Sequence, residues 1–217
     1  MGMSRFKRFE NSLLVTLTLL ALGVSGASPF DRLTWILETL PVMLGLPLLI
    51  ASRRRFPLTP LVYRLLFVHG LILMLGGAYT YARVPLGFWV QDALDLTRNH
   101  YDRLGHLAQG FIPAMLTREI LVRATPLRPG GWLFFLTTCV VLAISASYEF
   151  IEWGVALVMG MDADAFLATQ GDVWDTQWDM FLALVGALLA QFLLTRLHDR
   201  QLVRLLGAVS PARPLGA

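Results

Sequence analysis

The chain has 217 residues, of which 56% are hydrophobic and only 15% are charged, and its mean hydropathy is +0.60. Because a soluble domain carries about 25% charged residues, this composition excludes an ordinary soluble protein and indicates an integral membrane protein. The net charge of +3 is explained by basic residues beside apolar segments, where they orient a membrane protein, so we expect no nucleic-acid partner. The lone cysteine, Cys139, excludes a site built from several thiolates.

Six apolar segments of about 20 residues predict six transmembrane helices. The first segment also resembles a signal peptide, with a basic start and small residues at its end. We favour an uncleaved helix because the second segment follows almost at once. The fourth segment is the most polar of the six, since it contains His106, Gln109, Arg118 and Glu119. The six segments are 12–28, 33–51, 61–83, 104–123, 132–159 and 179–197.

The basic residues indicate which way the helices run. With six crossings and a cytoplasmic N-terminus, most of the 18 Lys and Arg residues lie on the inner side, as the positive-inside rule requires. If the fourth segment did not cross, the basic residues from Arg196 to Arg213 would lie outside and this bias would weaken. We therefore predict an all-α polytopic membrane helical bundle with six transmembrane helices and both termini cytoplasmic.

The positions of the apolar segments and of the basic residues also set the domain limits. Residues 1–209 are predicted to form a single helical transmembrane domain, and 210–217 a disordered tail. The stretch 196–209 is interpreted as a basic amphipathic extension at the inner surface or as a helix end with outward-reaching side chains.

Acidic residues have the opposite bias and collect at the outer ends of the last three predicted helices. Helical spacing places the members of each set on one face of their helix. Because exposing ionisable groups to lipid is costly, we expect the three sets to face a common outward-facing cavity. The sets are Asp102, His106 and Gln109; Glu149 and Glu152; and Asp172, Asp175 and Asp179.

A group of carboxylates with a histidine is typical of divalent-metal ligation or of acid–base chemistry. Oxygen-rich ligation suits Mg²⁺, Mn²⁺ or Ca²⁺, and a histidine also allows Zn²⁺. A metal could activate water against a head-group bond of a lipid. We predict catalytic roles for His106 and Asp102, metal ligands at Glu149, Glu152, Asp172, Asp175 and Asp179, and substrate binding by Arg103, Gln109 and Trp174.

Two alternatives stay open for the same residues. The first is a proton- or cation-coupled transporter, in which polar groups continue inward through Glu38 and His69. The second is a structural role in which the polar groups only hold helices together. His69 also fits a packing role, and Glu38 also fits a helix-start charge at the interface. At the inner side, Glu119 is expected to pair with Arg123 at i+4.

Three stretches carry a resemblance to a known family. Asp102–Phe111, Tyr148–Trp153 and Thr169–Met180 resemble the bacterial inner-membrane YjdF family. The resemblance implies a multi-pass protein of the bacterial inner (plasma) membrane, and it implies no reaction.

A looser pattern is similar to VanZ-like membrane proteins, which also have an Asp-basic-x-x-His helix start, a membrane Glu and a final acidic helix. The matching residues are Asp102, Arg103, His106, Glu149 and Asp172 or Asp179. This similarity implies a membrane lipid or a lipid-linked envelope substrate as partner.

Overall fold

The described part of the chain is helical throughout. The structure, a computed structural model, describes residues 5–159 and 169–209, so the predicted tail 210–217 lies outside the described residues. Within those two ranges there is no strand, as the prediction of an all-α fold requires. The helices are α1 (Arg5–Ala27), α2 (Arg32–Ser52), α3 (Pro60–Ala78), α4 (Pro85–Ala93), α5 (Tyr101–Ala124), α6 (Gly131–Met159) and α7 (Asp175–Val209).

Five of the helices in the described ranges are long and apolar enough to cross a membrane, namely α1, α2, α3, α6 and α7. The chain is therefore a helical membrane protein. Helix α5 has 24 residues, about 36 Å of length. It is too polar to be grouped with these five apolar helices. The described part of α7 continues as one helix through the predicted amphipathic extension to Val209.

One helix was not predicted from the sequence. The third apolar segment was predicted to reach residue 83, but α3 ends at Ala78 because Thr80 and Tyr81 adopt φ values of 52° and 49°, which turn the chain. Helix α4 follows, with Pro85 in its first turn. Its nine residues are too few to cross a membrane, and Trp89 is 70% exposed, as expected for a helix lying in the interface.

Helices α5 and α7 run parallel to each other. At one end His106 lies beside Asp179, and at the other Arg118 binds Asp199 at 2.7 Å. Helix α6 runs in the opposite direction and packs against both, and Gln191 of α7 donates to Thr138 of α6 at 3.0 Å. The N-terminal ends of α5 and α7 are consequently neighbours.

The contact between α5 and α7 depends on residues without bulky side chains. A Cβ at Gly110 would collide with the backbone of Ala183, and one at Gly186 would collide with the Leu107 carbonyl and the Phe111 amide. Ala187 is fully buried on the same face of α7. Small residues at such crossings let helix backbones approach closely in a membrane.

A buried polar network joins the N-terminal end of α3 to the C-terminal halves of α5 and α7. Glu119 accepts from Arg123 at 2.7 Å, which confirms the i, i+4 ion pair predicted from the sequence. It also accepts from the Thr59 hydroxyl at 2.7 Å and from His198 at 3.0 Å. Because Arg118 donates to Nδ1 of His198, the proton of the neutral imidazole lies on Nε2 and points at Glu119.

The backbone approach of α5 and α7 gives a stability prediction. We expect Gly110→Ala to destabilise the protein by about 1–3 kcal/mol because the added methyl forces the two helices apart. Thermal unfolding in detergent measures the effect. Gly154→Ala is the matched control, since a Cβ at Gly154 in α6 meets no atom within 4 Å. Equal melting temperatures for the two variants would contradict the assigned helix contact.

Candidate functional site

Two loops hold the N-terminal ends of α5 and α7 side by side. The Asn99 amide N–H donates to the Gln170 side chain at 3.1 Å, and the Gln170 side chain donates back to the Asn99 carbonyl at 2.8 Å. Asn99 is fully buried and donates from its side chain to the Val84 carbonyl at 3.0 Å. Gln170 and Gly171 have φ values of 50° and 83°, which turn the chain into α7. These bonds fix both helix starts against the α4 region.

Two arginines neutralise two of the predicted metal ligands. Asp172 accepts from Arg103 at 2.7 Å and from Arg98 at 3.2 Å. Asp175 accepts from Arg98 at 3.0 Å. Arg103 also lies over the Trp178 ring, 5.2 Å from its centroid. Asp172 and Asp175 therefore already have their charge balanced by protein cations, and these ion pairs join the N-terminal ends of α5 and α7.

A second group lies deeper, where Asp102 and His106 of α5 meet Asp179 of α7. Nε2 of His106 is 3.6 Å from Oδ1 of Asp102 and 3.7 Å from Oδ2 of Asp179. One ligand atom from each of the three residues lies within 4.8 Å of the other two. Both distances from Nε2 are longer than a hydrogen bond. We call these three residues the carboxylate–histidine triad.

Several polar atoms of this region have no hydrogen-bond partner among the described residues. They are Oδ2 of Asp102, Nδ1 of His106, Oδ1 of Asp179 and Oε1 of Glu149. All four side chains are more than nine-tenths buried. Buried polar atoms are normally satisfied, so unpartnered atoms converging from three helices are a sign of a site built for a ligand.

Glu149 and Glu152 of α6 complete the wall that faces the triad. Thr176 donates a hydrogen bond to the Glu149 carboxylate, which also interacts electrostatically with His106. Glu152 is half-buried and lies within electrostatic range of Glu149, Asp102 and Asp179. The last three helices thus bring all the predicted acidic site residues to one end of the bundle, in two groups that differ in their partners.

A cavity of about 590 Å³ extends from the triad into the bundle. Asp102, His106, Gln109 and Glu152 line it, and so does Glu38 from α2. Glu38 accepts a hydrogen bond from Tyr81. The predicted substrate-binding Trp174 is not among the lining residues in the described ranges and is 63% exposed.

The loops before α4 and before α5 each contain an ionisable group with a shifted pKa. Partial burial, together with the neighbouring cations of Arg103 and Arg98, lowers the pKa of His100. Burial, together with the carboxylates of Glu38 and Asp102, raises the pKa of Tyr81 well above its usual range. His100 is therefore kept neutral beside the arginines, and Tyr81 is kept as a phenol donor beside Glu38.

Sequence reasoning missed Arg98, Asn99, Gln170, Tyr81 and Tyr148. Arg98 and Asn99 lie just before the start of α5, and Gln170 lies just before Gly171 in the turn into α7. The signal that could have found these three residues is their position beside the starts of two helices. Tyr81 and Tyr148 line the cavity, but nothing in their spacing points to it.

Comparisons with known proteins agree with this membrane architecture. Residues 11–200 match the family described as Predicted membrane protein (DUF2238). The chain is 56% identical over 194 residues to the Inner membrane protein YjdF of Escherichia coli (strain K12), an alignment that covers 89% of this chain and 92% of the relative. No solved structure matches the chain. A multi-pass location in the inner membrane follows from the relative and from the apolar helices, and the chain belongs to the DUF2238 family of membrane proteins.

Proposed function

We propose that this protein is a metal-assisted enzyme that acts on the head group of a lipid or lipid-linked envelope substrate. The observation that carries the proposal is the spacing within the carboxylate–histidine triad. Two donors that share a tetrahedral ion at about 2.1 Å lie about 3.4 Å apart, and the His106 nitrogen lies 3.6 Å and 3.7 Å from the two Asp oxygens.

Charge supports a cation at this position. Among the described residues, no Lys or Arg lies within ion-pair distance of Asp102, Asp179 or Glu149, whereas Asp172 and Asp175 are bound by arginines. Three carboxylates buried together with one imidazole are costly without a further positive charge. A divalent ion removes that cost.

The donor set gives the class of metal. Asp102, His106 and Asp179 supply two oxygens and one nitrogen. A mixed oxygen and nitrogen set suits Zn²⁺ or Mn²⁺ better than Mg²⁺ or Ca²⁺, which prefer oxygen alone. Such a metal, when bound, would polarise a phosphoryl or carbonyl oxygen and lower the pKa of a bound water.

The remaining residues have separate tasks in this proposal. Glu149, whose Oε1 has no partner in the described part of the chain, is placed to accept a proton from water. Arg98 and Arg103 fix the loop carrying Asp172 and Asp175, so that the start of α7 keeps Asp179 opposite His106. The similarity to VanZ-like proteins agrees with an envelope lipid as substrate.

Metal content tests the proposal directly. We expect the purified protein to hold about one equivalent of Zn²⁺ or Mn²⁺ by elemental analysis, and Asp179→Asn or His106→Gln to lose most of it, because each substitution removes a ligand. Asp92→Asn is the control, since Asp92 is an exposed carboxylate outside the site. A correctly folded wild-type protein without stoichiometric metal, even after incubation with each ion, would reject the metal-assisted mechanism.

The proposal includes six membrane crossings with both termini in the cytoplasm. Helix α5 is polar, but most of its polar groups are buried against α3, α6 and α7 and so do not face lipid. Contacts at Asp179 and at His198 keep α5 beside α7 along this stretch, which supports a crossing by α5 as well. The polar composition of α5, which distinguishes it from the five apolar helices, is thus compatible with a sixth membrane crossing.

Cysteine accessibility tests this topology. In a Cys139→Ser background, Thr97→Cys lies before α5 and Arg128→Cys lies after it, both at exposed positions. We expect a membrane-impermeant maleimide to label Thr97→Cys in intact spheroplasts and Arg128→Cys only after permeabilisation. Labelling of both positions in intact spheroplasts would show that α5 does not cross.

A second candidate function is proton-coupled transport. The cavity is lined by Glu38 near the triad and by His69 at mid-depth, and it reaches Arg53 at the far end of α2. Ionisable groups at successive depths are a common arrangement in proton pathways.

Proton flux separates the two candidates. Transport predicts that liposomes containing the protein take up protons under an imposed membrane potential, measured with a trapped pH-sensitive dye, and that Glu38→Gln or His69→Leu abolishes the uptake. The enzyme proposal predicts the same leak as for protein-free liposomes. Asp92→Asn is again the control for a carboxylate away from the cavity.

A further inference from the structure

The cavity beneath the triad is longer than head-group chemistry requires. On α2 its lining residues run from Glu38 to Arg53, a distance of about 22 Å along the helix. This exceeds the depth of one leaflet of the hydrocarbon core, which is about 15 Å. Its volume of about 590 Å³ is in the range of pockets that enclose a whole small ligand.

The walls between the two ends are mainly aliphatic. Val42, Leu46, Leu66, Leu73 and Leu116 line the cavity from α2, α3 and α5. Most of the charged lining residues lie at the triad end, where Glu38, Asp102 and Glu152 meet. An elongated apolar cavity with a polar head end matches a molecule that is itself apolar along its length and polar at one end.

Two residues that line the cavity also lie on the apolar surface of the bundle. Leu48 and Ile50 line it and are 68% and 39% exposed on the outer face of α2. In the membrane these exposed leucine and isoleucine side chains contact acyl chains. A bilayer lipid can therefore enter without leaving the apolar phase, which removes the cost of transferring a hydrocarbon chain through water.

Gly45 keeps one wall of the cavity open. It lines the cavity, and a Cβ added there would meet no atom within 4 Å. Gly70 on α3 is similar, since its nearest atoms would lie at 3.7 Å and 3.8 Å. Neither glycine is required by a close backbone contact, unlike Gly110, so their effect is to leave space.

We infer that this cavity holds one long hydrocarbon chain of a membrane lipid, which enters laterally past Leu48 and Ile50 and places its head group at the carboxylate–histidine triad. This inference rests on the proposed function and names its substrate class as a lipid with an extended aliphatic chain. A phospholipid acyl chain and a polyprenyl chain are both long and aliphatic, and the experiment below distinguishes between them.

The test uses the full-length protein in nanodiscs of phosphatidylethanolamine and phosphatidylglycerol. One arm contains a phosphatidylethanolamine with a diazirine near the end of an acyl chain, and the other contains a polyprenyl phosphate with a diazirine on its chain. After illumination, mass spectrometry maps the labelled residues. We expect at least one probe to label buried lining residues such as Val42, as well as Phe192, which is 73% exposed and serves as the internal reference for surface lipid.

A substitution that fills the cavity sharpens the result. We expect Gly45→Phe to lose the label at Val42 while the label at Phe192 persists. Gly23→Phe is the matched control, because Gly23 also meets no atom within 4 Å but does not line the cavity, and it should keep both labels. On the wild-type protein, excess unlabelled lipid of the same kind should suppress the label at Val42 more than that at Phe192.

The outcomes separate this inference from the proposed function. Two outcomes would overturn the chain site even if stoichiometric metal is present. Either both probes label only exposed residues, or Gly45→Phe leaves the label at Val42 unchanged. Labelling of the cavity in a protein that binds no metal would support the chain site while rejecting the metal-assisted mechanism. The arm that gives the competed label identifies the acyl or the polyprenyl source.

Discussion

The parallel backbone contact between α5 and α7 is the constraint on which the site depends. Gly110 and Gly186 let the two helices touch along their backbones, and α6 must then return between their ends. Two helix N-termini come together at one end of the bundle as a result. Helix N-termini favour negative charge, which helps to explain why Asp102 and Asp175 occupy the first turns of these helices. The acidic end of the bundle therefore follows from the packing of α5 against α7.

The sequence predicted the long helices well because hydropathy and length are local properties. It also placed Asp102, His106, Glu149 and Asp179 at one end of the bundle, since alternating helix directions determine depth. The sequence could not show that Asp172 and Asp175 pair with arginines while Asp179 faces His106. The rotation of α7 against α5 and the position of Arg98 depend on three-dimensional packing. Helix α4 was missed since nine residues are too few to give a membrane signal, and the catalytic, metal and substrate roles stay predictions.

The polar groups at the two ends of α5 show two ways of burying charge. At the C-terminal end of α5, Glu119 has Arg123, His198 and Thr59 as partners, so the network is closed and its role is to join helices. At the N-terminal end of α5, Asp102 and Asp179 face His106 at distances beyond a hydrogen bond. A buried polar network left open in this way is less stable than a closed one. One helix thus carries a polar network that the protein satisfies and a second one that the described residues leave unsatisfied.

The purely structural alternative accounts for part of the acidic end. Asp172 and Asp175 hold the α5 and α7 loops together through Arg98 and Arg103, which is what that alternative requires. It leaves the unpartnered oxygens of Asp102, Asp179 and Glu149 without a purpose, and it does not require a cavity beneath them. Since residues that only hold helices together gain nothing from unpaired buried carboxylates, helix packing alone does not account for the triad or for the cavity beside it.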